Sequence, residues 1–427
     1  MIKRDRYLNQ VIARKHDGFV KIITGIRRCG KSYLLFELFR EHLRAEGVDD
    51  AHIIGVNLDD MENTKLRKPA SLFKYIKKRL PEDGKWTYVM IDEIQLCKRV
   101  RGASFYDVLN SLMKKPKVDV YVTGSNSKLL SKDVATEFRD RGEEIRLMPL
   151  NFAEYLSAVG TLDKSEALSN YLLYGGMPAA VVKSNDADRV AYLKSLFDKV
   201  YLKDIVEYHR LKSSEVCKRV MNVLCSAVGS LTNPHKLVKT LESEGHLKTT
   251  DRTLGKYLNY FEESFLFTRA QRYDIRGKRY LAYPEKFYCE DVGLRNAHLN
   301  MRETDEAHLM ENVIFNELRS RGYNVDVGVV DVGERQYEID FVVNAGVNKV
   351  YIQSAYDLSR GGKLEQETNS LKGTQDFFAK LVIENGYKSP LPDDDGIVHV
   401  GIIPFLLDES ILASLVAQAK SSPRKMV

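Results

Sequence analysis

Residues 19–32 read Phe-Val-Lys-Ile-Ile-Thr-Gly-Ile-Arg-Arg-Cys-Gly-Lys-Ser, and this stretch decides the fold of the N-terminal part of the chain. Its first six residues are mostly apolar and β-branched, which is typical of a buried parallel strand. The next eight fit the pattern G-x-x-x-x-G-K-S without a gap. The helix-forming stretch YLLFELFREHLRAEG follows directly, so the pattern lies between a strand and a helix, as it requires.

The pattern predicts a loop that holds a phosphate group. Its two glycines let the backbone curl with the N–H groups inward, and the following helix adds the positive end of its dipole. Lys31 is expected to reach the β- and γ-phosphates of a nucleotide, and the Ser32 hydroxyl to bind Mg²⁺. A chance glycine-rich turn is the alternative, and the strand, the helix and a second motif argue against it. The candidate nucleotide-binding residues are Gly25, Ile26, Arg27, Arg28, Cys29, Gly30, Lys31, Ser32 and Tyr33.

The second motif, Thr87-Tyr-Val-Met-Ile-Asp92-Glu93, is a short apolar strand that ends in two carboxylates. Ligands of open parallel sheets lie at the carboxyl ends of the strands, so Asp92 is expected near the same phosphates. Asp92 would hold Mg²⁺ through a coordinated water, and Glu93 would be the general base for the attacking water. The alternative is a strand that merely ends in solvated acids. A further strand at residues 52–57 also ends in polar residues.

A third strand, residues 119–124, runs into Ser125 and Asn126. Either side chain could sense the γ-phosphate or orient the attacking water, and a plain polar turn is the alternative. Downstream, Arg139 and Arg141 could reach the nucleotide charge within the chain or across a subunit contact. Solvated surface arginines are the other reading of this pair.

The composition bounds the class of protein. The chain has 427 residues, which at roughly 100–200 residues per domain predicts about two to four domains. It is 44% hydrophobic and 29% charged, which excludes a mostly disordered or fibrous chain. The sequence has no apolar run of the roughly 18 residues that span a membrane, and its charged first residues predict that no secretory leader is present. The five cysteines form no CxxC pair, so we predict a reducing cytoplasm and no zinc site.

Four segments together resemble a known family: Gly-Ile-Arg-Arg-x-Gly-Lys-Ser at 25–32, Ile-Asp-Glu-Ile-Gln at 91–95, Val-Thr-Gly-Ser-Asn-Ser-Lys-Leu-Leu at 122–130 and Tyr-Gly-Gly-Met-Pro at 174–178. They are similar to prokaryotic AAA-type ATPases that end in a nuclease-like domain of unknown function. The resemblance implies ATP and Mg²⁺ as cofactors. The nucleotide and magnesium residues that match are Lys31, Ser32, Asp92 and Glu93, with Ser125 and Asn126 at the sensor position.

The middle of the chain predicts a winged helix-turn-helix. Helical periodicity over residues 195–228 precedes two helix-like stretches, Asn233–Glu244 and Asp251–Glu263, and a hairpin that turns at Gly277. The hairpin also carries Lys286. DNA contact is one interpretation; an interdomain or protein-binding module with a solvated hairpin is the other. The candidate nucleic-acid residues are Arg252, Lys256, Arg269, Arg272, Arg276, Lys278 and Arg279.

From about residue 300 the pattern predicts a further α/β domain. It has a helix over 308–319, three strands starting near Tyr323, Tyr337 and Lys349, a helix over Gln366–Ile383 and a strand over Ile397–Ile403. This order is similar to the restriction-endonuclease-like core, whose metal-facing positions would be taken here by Glu311, Asp340 and Gln353. That family has an acid, one residue and a lysine where this chain reads Gln353-Ser354-Ala355, so we predict a nuclease-like fold that does not cleave.

The predicted fold class is therefore α/β: a P-loop NTPase parallel sheet with helices on both faces, followed by a winged-helix domain and a C-terminal α/β nuclease-like domain. The predicted boundaries are 1–190, 191–295 and 296–427. We expect a cytoplasmic ATPase that couples its nucleotide state to double-stranded DNA through the winged helix. A nucleotide-gated signalling or scaffold protein that binds a protein partner is the alternative, and an ATP-regulated nuclease a third reading. The oligomeric state is open.

Overall fold

The computed structural model describes residues 2–100, 102–125, 142–209, 211, 214–245, 249–302, 305–357 and 363–421. Asn126, Arg139 and Arg141 therefore lie outside the described residues. The chain divides into two compact units. The first comprises Met1–Pro149 with Glu263–Phe265, and the second Leu150–Glu262 with Leu266–Val427.

The first unit is built on a parallel sheet. Among the described residues its strands follow the order β2-β3-β4-β1-β5, and every neighbouring pair is parallel. The four strands predicted from the sequence are confirmed, and a fifth at the edge is added. The carboxyl ends of β1, β3 and β4 thus meet at one edge of the sheet. The strands are β1 Val20–Thr24, β2 Ile53–Asn57, β3 Thr87–Asp92, β4 Val118–Gly124 and β5 Gly142–Arg146.

Helices cover both faces of this sheet. On one face, α4 and α5 pack Leu72 and Leu109 against the buried Val89 of β3. On the other, the ring of Phe39 lies 4.7 Å from that of Tyr121 on β4. A π-helical turn, Leu34–Phe39, joins α2 to α3. The helices are α1 Asp5–Ala13, α2 Lys31–Tyr33, α3 Arg40–Ala45, α4 Pro69–Lys77 and α5 Phe105–Met113, with 3₁₀ turns at Asp50–His52, Met61–Arg67 and Ile94–Leu96.

The second unit begins with a helical region. Capping boxes and N-caps start its helices: Asn151 accepts the N–H of Glu154, and Asp163 accepts those of Ser165 and Glu166. A second π-helical turn, Phe197–Leu202, joins α9 to α10. The helices of this region are α6 Phe152–Val159, α7 Lys164–Tyr174, α8 Pro178–Val181, α9 Asp186–Leu196 and α10 Lys203–Tyr208.

The next segment has the order that the sequence predicts: helix, helix, helix, hairpin. An isolated bridge joins Thr232, before the second of these helices, to Glu285 in the hairpin. The elements are α11 Ser214–Ser226, α12 Pro234–Gly245, α13 Asp251–Glu263, β6 Phe267–Asp274 and β7 Arg279–Cys289. The hairpin does not stand alone, because β6 also pairs in parallel with a later strand, β8 Asn324–Val332.

A mixed sheet results, with the described order β12-β13-β11-β10-β9-β8-β6-β7. Strands β8, β9 and β10 pair antiparallel, whereas β10, β11 and β13 pair parallel. The strands after β8 are β9 Arg335–Ala345, β10 Asn348–Ala355, β11 Ala379–Glu384, β12 Leu391–Pro392 and β13 Val398–Gly401. The helices are α14 Val292–His298, α15 Glu306–Ser320, α16 Lys363–Lys372, α17 Ile402–Leu407 and α18 Ser410–Ser421.

The helix predicted over Gln366–Ile383 is wrong in its second half. Helix α16 ends at Lys372, directly before Gly373, and Ala379–Glu384 is a strand parallel to β10. The strand predicted over Ile397–Ile403 is shorter, because Gly401 is the N-cap of α17. In the described part of the chain, no helix is both long and apolar enough to cross a membrane.

Candidate functional site

The loop after β1 has a backbone that only glycine allows at its first position. Gly25 has φ +142°, and a Cβ there would lie 2.0 Å from the carbonyl oxygen of Leu147. Leu147 is held in place because its N–H donates to the Thr24 carbonyl at 2.7 Å. Arg28 and Gly30 also have positive φ, at +66° and +105°. The loop therefore curls between β1 and the helix that begins at Lys31, in the form that presents N–H groups to an anion.

Lys31 is buried beneath this loop. Its Nζ donates to the carbonyl oxygens of Gly25 at 3.0 Å and Ile26 at 3.1 Å. The ammonium thus lies inside the curve of the loop with neutral acceptors as partners. Hydrogen bonds to a phosphate are stronger than those to neutral carbonyls, so an arriving phosphate competes well for this ammonium.

Ser32 and Asp92 meet at the carboxyl edge of the sheet. The Ser32 hydroxyl donates to Asp92 Oδ2 at 2.7 Å, and the Thr123 hydroxyl donates to Asp92 Oδ1 at 2.5 Å. The structure so brings together the hydroxyl and the carboxylate that the sequence predicts as magnesium ligands. Oxygen donors of this kind fit Mg²⁺, which takes its remaining ligands from water and phosphate. A hydroxyl and one carboxylate would leave those positions open.

Glu93 follows directly, in a left-handed conformation with φ +52°. Its N–H donates to the Thr123 hydroxyl at 2.9 Å. Its Oε2 accepts from the Ser125 hydroxyl at 3.1 Å and from the Gln95 amide, which itself lies 3.2 Å from the Ser125 oxygen. Glu93 and Ser125, predicted as catalytic, thus lie side by side. Gln95 was not among the predicted site residues, although the quoted motif at 91–95 contains it.

Arg4 is a second residue that the sequence does not single out. Its guanidinium is buried and donates to the carbonyl oxygens of Cys29 at 3.2 Å and Met148 at 2.6 Å. It lies 4.8 Å from the ring centroid of Tyr7, whose hydroxyl accepts the Met148 N–H at 3.3 Å. Arg4 therefore braces the loop from behind. Since it bonds to backbone atoms, no side-chain pattern in the loop points to it.

The other predicted loop residues have mixed surroundings. Ile26 and Cys29 are buried, and the Cys29 thiol donates to the Leu147 carbonyl at 3.4 Å. Arg27 and Tyr33 are half-buried and Arg28 is exposed. Ile26 and Cys29 thus pack into the unit, whereas the Arg28 side chain lies at its surface.

In the second unit, the residues predicted to face a metal lie close together: Glu311 on α15, Asp340 on β9 and Gln353 on β10. Gln353 Oε1 accepts the Asp340 N–H at 3.4 Å, and Asp340 Oδ2 accepts the Ser354 N–H at 2.9 Å. The structure adds a residue from the hairpin: Lys286 Nζ lies 2.8 Å from Glu311 Oε1 and 3.4 Å from Asp340 Oδ1. The sequence suggested a hairpin surface residue here, but Lys286 is buried.

Two further groups complete this cluster. Glu338 Oε1 lies 2.8 Å from Lys286 Nζ, and the Tyr288 hydroxyl donates to Glu311 Oε1 at 2.6 Å. Burial raises the pKa of Glu311 to about 7, against the pull of Lys286. Burial disfavours the Lys286 ammonium, but the surrounding acidic groups outweigh it and hold its pKa well above the ordinary value. The lysine therefore remains charged.

The basic side chains at the base of the hairpin form ion pairs and hydrogen bonds with residues of their own unit. Arg269 pairs with Glu262 at 2.8 Å and Glu285 at 3.4 Å. Arg272 is buried and donates to Gln336 Oε1 at 3.2 Å. These two side chains attach the hairpin to neighbouring elements.

Nearer the turn, two further arginines have partners within the same unit. Arg276 donates to the Gly373 carbonyl at 2.9 Å, and Arg279 lies 3.5 Å from Asp274. Lys278 is exposed at the turn with φ +51°. On helix α13, Arg252 and Lys256 are exposed one turn apart. The helix thus offers more accessible charge than the base of the hairpin.

The first unit is a P-loop domain of AAA type. Three features define it as such: the glycine-containing loop over residues 25–32, the Ser32–Asp92 pair and the parallel sheet. A family model described as an AAA domain matches residues 17–156, and a domain of unknown function matches residues 165–305. A Walker-type ATPase of Pyrococcus abyssi has a similar fold, with a TM-score of 0.50 and 14% identity, over 70% of this chain and 96% of that one.

Two curated relatives extend along most of the chain. An uncharacterized protein of Haemophilus influenzae is 34% identical over 411 residues, which cover 95% of this chain and 99% of the relative. Uncharacterized protein MJ1544 of Methanocaldococcus jannaschii is 28% identical over 381 residues, covering 86% and 80%. The chain belongs to the same family as the Haemophilus protein, a prokaryotic family of AAA-type proteins, and this membership supports nucleotide binding.

Proposed function

We propose that the chain binds Mg²⁺-ATP at the loop over residues 25–32 and hydrolyses it. The observation that carries this proposal is the 2.7 Å contact between Ser32 and Asp92, beside the buried ammonium of Lys31. Lys31 would neutralise the β- and γ-phosphates, and Ser32 with Asp92 would hold Mg²⁺, which supplies charge stabilisation when it is bound.

Glu93 would take the proton of the attacking water. Its carboxylate has neighbours that fix its direction, namely Ser125 and Gln95. A base that is held in place is effective because proton transfer requires hydrogen-bond reach of the water. Asn126 remains a proposed sensor of the γ-phosphate, and Arg139 and Arg141 remain candidates for a charge on the transferred phosphoryl group.

The experiment compares Mg²⁺-dependent ATP turnover and ATP binding in three variants. Lys31→Ala is expected to weaken ATP binding, whereas Glu93→Gln is expected to keep binding and lose roughly 10²–10⁴-fold in turnover. Glu82→Gln, an exposed acid in the same unit, is the matched control and should behave as wild type. Normal turnover in Glu93→Gln would refute the role of Glu93, and normal binding in Lys31→Ala would refute the site.

We further propose that residues 191–295 act as a winged helix that contacts double-stranded DNA through α13. The order of α11, α12, α13 and the hairpin, together with the Thr232–Glu285 bridge, supports this fold. Arg252 and Lys256 are exposed on α13, as phosphate-contacting residues must be. We propose that the rest of the chain forms two further domains, residues 1–190 and residues 296–427.

DNA contact is tested by duplex binding at several salt concentrations. Arg252→Ala with Lys256→Ala should lower affinity and reduce the slope of log K against log salt by about 2, since each lost phosphate contact contributes roughly one. Lys74→Ala with Lys77→Ala removes the same charge from exposed positions on α4 and is the control. If wild-type protein does not bind duplex DNA at low salt, the DNA proposal fails.

Binding of a protein partner is the second candidate function, and the contacts made by the hairpin arginines favour it. Arg269 and Arg272, which the sequence suggests for DNA, are engaged with Glu262, Glu285 and Gln336. In that case ATP turnover would not respond to DNA, and the nucleotide state would control binding of a protein. None of the five cysteines forms a disulfide and all five are buried, in keeping with the proposed cytoplasmic location.

Residues 296–427 are proposed to have a nuclease-like fold that does not cleave DNA. The succession α15, β8, β9, β10, α16, β11 supports the fold, and Gln353 at an acid position supports the lack of cleavage. Divalent-dependent cutting by wild type that disappears in Asp340→Ala would overturn this part of the proposal.

A further inference from the structure

We propose that Lys286 is a built-in cation of the second unit, whose ammonium fills the carboxylate cluster of Glu311, Glu338 and Asp340 in place of a divalent metal. The three acids come from α15 and β9, and the lysine reaches them from β7. Its Nζ lies 2.8 Å from Glu311 Oε1, 2.8 Å from Glu338 Oε1 and 3.4 Å from Asp340 Oδ1. These are the oxygens that a metal in this cluster would need.

Glu311 and Asp340, the two most buried acids of the cluster, each accept a further hydrogen bond. Glu311 Oε1 accepts a second hydrogen bond from the Tyr288 hydroxyl at 2.6 Å. Asp340 Oδ2 accepts the Ser354 N–H at 2.9 Å. A metal that entered would have to displace an ammonium and compete with these donors, so the cluster does not fit a divalent ion as it stands.

Gln353, the third predicted metal-facing position, does not restore a metal site. Gln353 directs its Oε1 toward the N–H of Asp340 at 3.4 Å. This amide oxygen is engaged with the strand that carries Asp340 and would be a weaker ligand than a carboxylate. Glu338 Oε2 is buried without a hydrogen-bond partner among the described residues, whereas its Oε1 pairs with Lys286.

Access to the cluster is restricted by the chain itself. A Cβ at Gly229 would lie 3.2 Å from Glu311 Oε2 and 3.2 Å from His308 Cδ2, so the segment before α12 passes over that carboxylate. This segment is fixed at both sides, since the Gly229 N–H donates to the Phe287 carbonyl at 3.2 Å and Thr232 bridges Glu285. Among the described residues, this segment therefore covers the Glu311 carboxylate on one side.

Lys286 consequently has a mechanical role as well as an electrostatic one. It ties the hairpin strand β7 to helix α15 and strand β9, in the same unit. One buried charge paired with several carboxylates is favourable only while all partners stay together. This inference deepens the proposal of a non-cleaving domain and is independent of ATP hydrolysis.

The test counts Mn²⁺ ions bound per full-length chain, without nucleotide, from the loss of the EPR signal of free Mn²⁺. The proteins are wild type, Asp340→Asn, Lys286→Met and the double variant Lys286→Met/Asp340→Asn. We expect wild type and Asp340→Asn to bind Mn²⁺ equally, since the lysine excludes the ion. We expect Lys286→Met to bind an additional Mn²⁺ ion that its double variant does not bind.

Two results would overturn the proposal. If Asp340→Asn loses a Mn²⁺ ion that wild type binds, the cluster takes metal beside the lysine. If Lys286→Met and its double variant, both folded by circular dichroism, bind Mn²⁺ equally, then the lysine is not what excludes the ion. If Lys286→Met does not fold, Lys286→Gln takes its place. The number of Mn²⁺ ions bound by wild type and by Glu338→Gln then also tests whether wild type binds metal at the cluster, because Glu338 is less buried than Asp340.

This test distinguishes failure of the inference about Lys286 from failure of the proposal that the domain does not cleave DNA. A domain can bind Mn²⁺ without cutting DNA, so Mn²⁺ binding by wild type at the cluster would remove the role of Lys286 and leave the non-cleaving proposal intact. Mn²⁺-dependent cutting that is lost in Asp340→Asn would overturn both.

Discussion

The N–H of Gly176 donates to Oδ2 of Asp291 at 2.7 Å, although 115 residues separate the two in the chain. The same carboxylate caps helix α14 by accepting the N–H of Leu294 at 2.9 Å. The Tyr-Gly-Gly stretch at 174–176 therefore packs backbone to backbone against the start of α14. A Cβ on Gly293 would lie 1.9 Å from the Tyr174 carbonyl oxygen, so glycine is required on both sides of this contact.

Gly175→Ala should destabilise the second unit. Gly175 has φ +69° and ψ −165°, which is accessible essentially to glycine alone, and a Cβ there would lie 2.2 Å from Asp291 Oδ1. Strain and overpacking together predict a loss of roughly 2–5 kcal/mol. Chemical denaturation measures it. Gly255→Ala is the control, because Gly255 lies in α13 with open space around it and should gain up to about 1 kcal/mol. Equal stability of the two variants would contradict the close contact.

The Asp291 carboxyl should make stability depend on pH. Burial raises its pKa to about 6, from an ordinary value of 3.8, even though backbone N–H groups pull in the other direction. The folded state then binds the proton more tightly than the unfolded state. The stabilising contribution is full below the unfolded pKa and is lost as pH rises through the folded pKa.

The measurement is the difference in unfolding free energy between wild type and Asp291→Asn from pH 4 to pH 8. Wild type should gain on the variant as pH falls from about 7 to about 4, by up to roughly 3 kcal/mol. The other acids titrate alike in the two proteins, so their contributions cancel in this difference. A difference that does not vary with pH would contradict the raised pKa of Asp291.

The nucleotide site could be predicted from the sequence because its parts are contiguous. The residues from Gly25 to Ser32 and the pair Asp92-Glu93 each sit in one short segment at the end of a strand, and parallel pairing brings the segments together. Arg4 was not predictable in this way. It donates to the carbonyl oxygens of Cys29 and Met148, and any residue type offers such carbonyls.

The hairpin shows that the alternation of apolar and polar residues along a strand does not suffice to predict the sheet around it. Its two strands and strand β8 were predicted, but the pairing of β6 with β8 was not, since the two strands are far apart in sequence and no local pattern encodes their pairing. Strand β7 is exposed at its start and continuously buried from Glu285 to Cys289. A strand that is buried on both faces loses the alternation of period two, and so Lys286 was interpreted as part of a basic surface.

The predicted helix over Gln366–Ile383 failed for a related reason. A run such as Ala379–Glu384 has apolar residues that fit either a helix or a buried strand, and periodicity alone does not decide between them. Gly373 interrupts it, and pairing of Gln353 with Val382 makes the second half a strand. The partner strand, which is remote in sequence, decides between the two structures.

Removing the groups that hold Glu93 should slow hydrolysis without abolishing it. Gln95→Leu and Ser125→Ala each remove a donor to Glu93 Oε2, so the carboxylate would lose its fixed direction. We expect turnover to fall by roughly 10–100-fold, with ATP binding retained, because misplacement of a catalytic group has effects of this size. Steady-state kinetics separate kcat from KM. Ser111→Ala removes an exposed hydroxyl that bonds to the Asp107 carbonyl, and it should leave both constants unchanged. A loss confined to KM would contradict the role of this network.

Arg4→Ala should weaken ATP binding although Arg4 lies behind the loop. The variant leaves the carbonyl oxygens of Cys29 and Met148 without their buried donor, at roughly 1–3 kcal/mol for each unsatisfied group. The curl of the loop between β1 and α2 would then be less well fixed, so affinity for ATP should fall by about tenfold or more, which corresponds to about 1.4 kcal/mol.

Titration with a fluorescent ATP analogue measures the affinity, and thermal unfolding measures the stability of the same preparations. Arg79→Ala is the control, because Arg79 is exposed and stacks on Tyr75, away from the loop. Arg4→Lys separates charge from geometry: one ammonium keeps the charge but cannot reach both carbonyl oxygens as the guanidinium does. If Arg4→Lys binds ATP as wild type does, the charge alone matters, and the two-point brace inferred from the hydrogen bonds is wrong. If Arg4→Lys falls with Arg4→Ala, the position of the loop backbone, set from behind, is part of what makes the site bind a nucleotide.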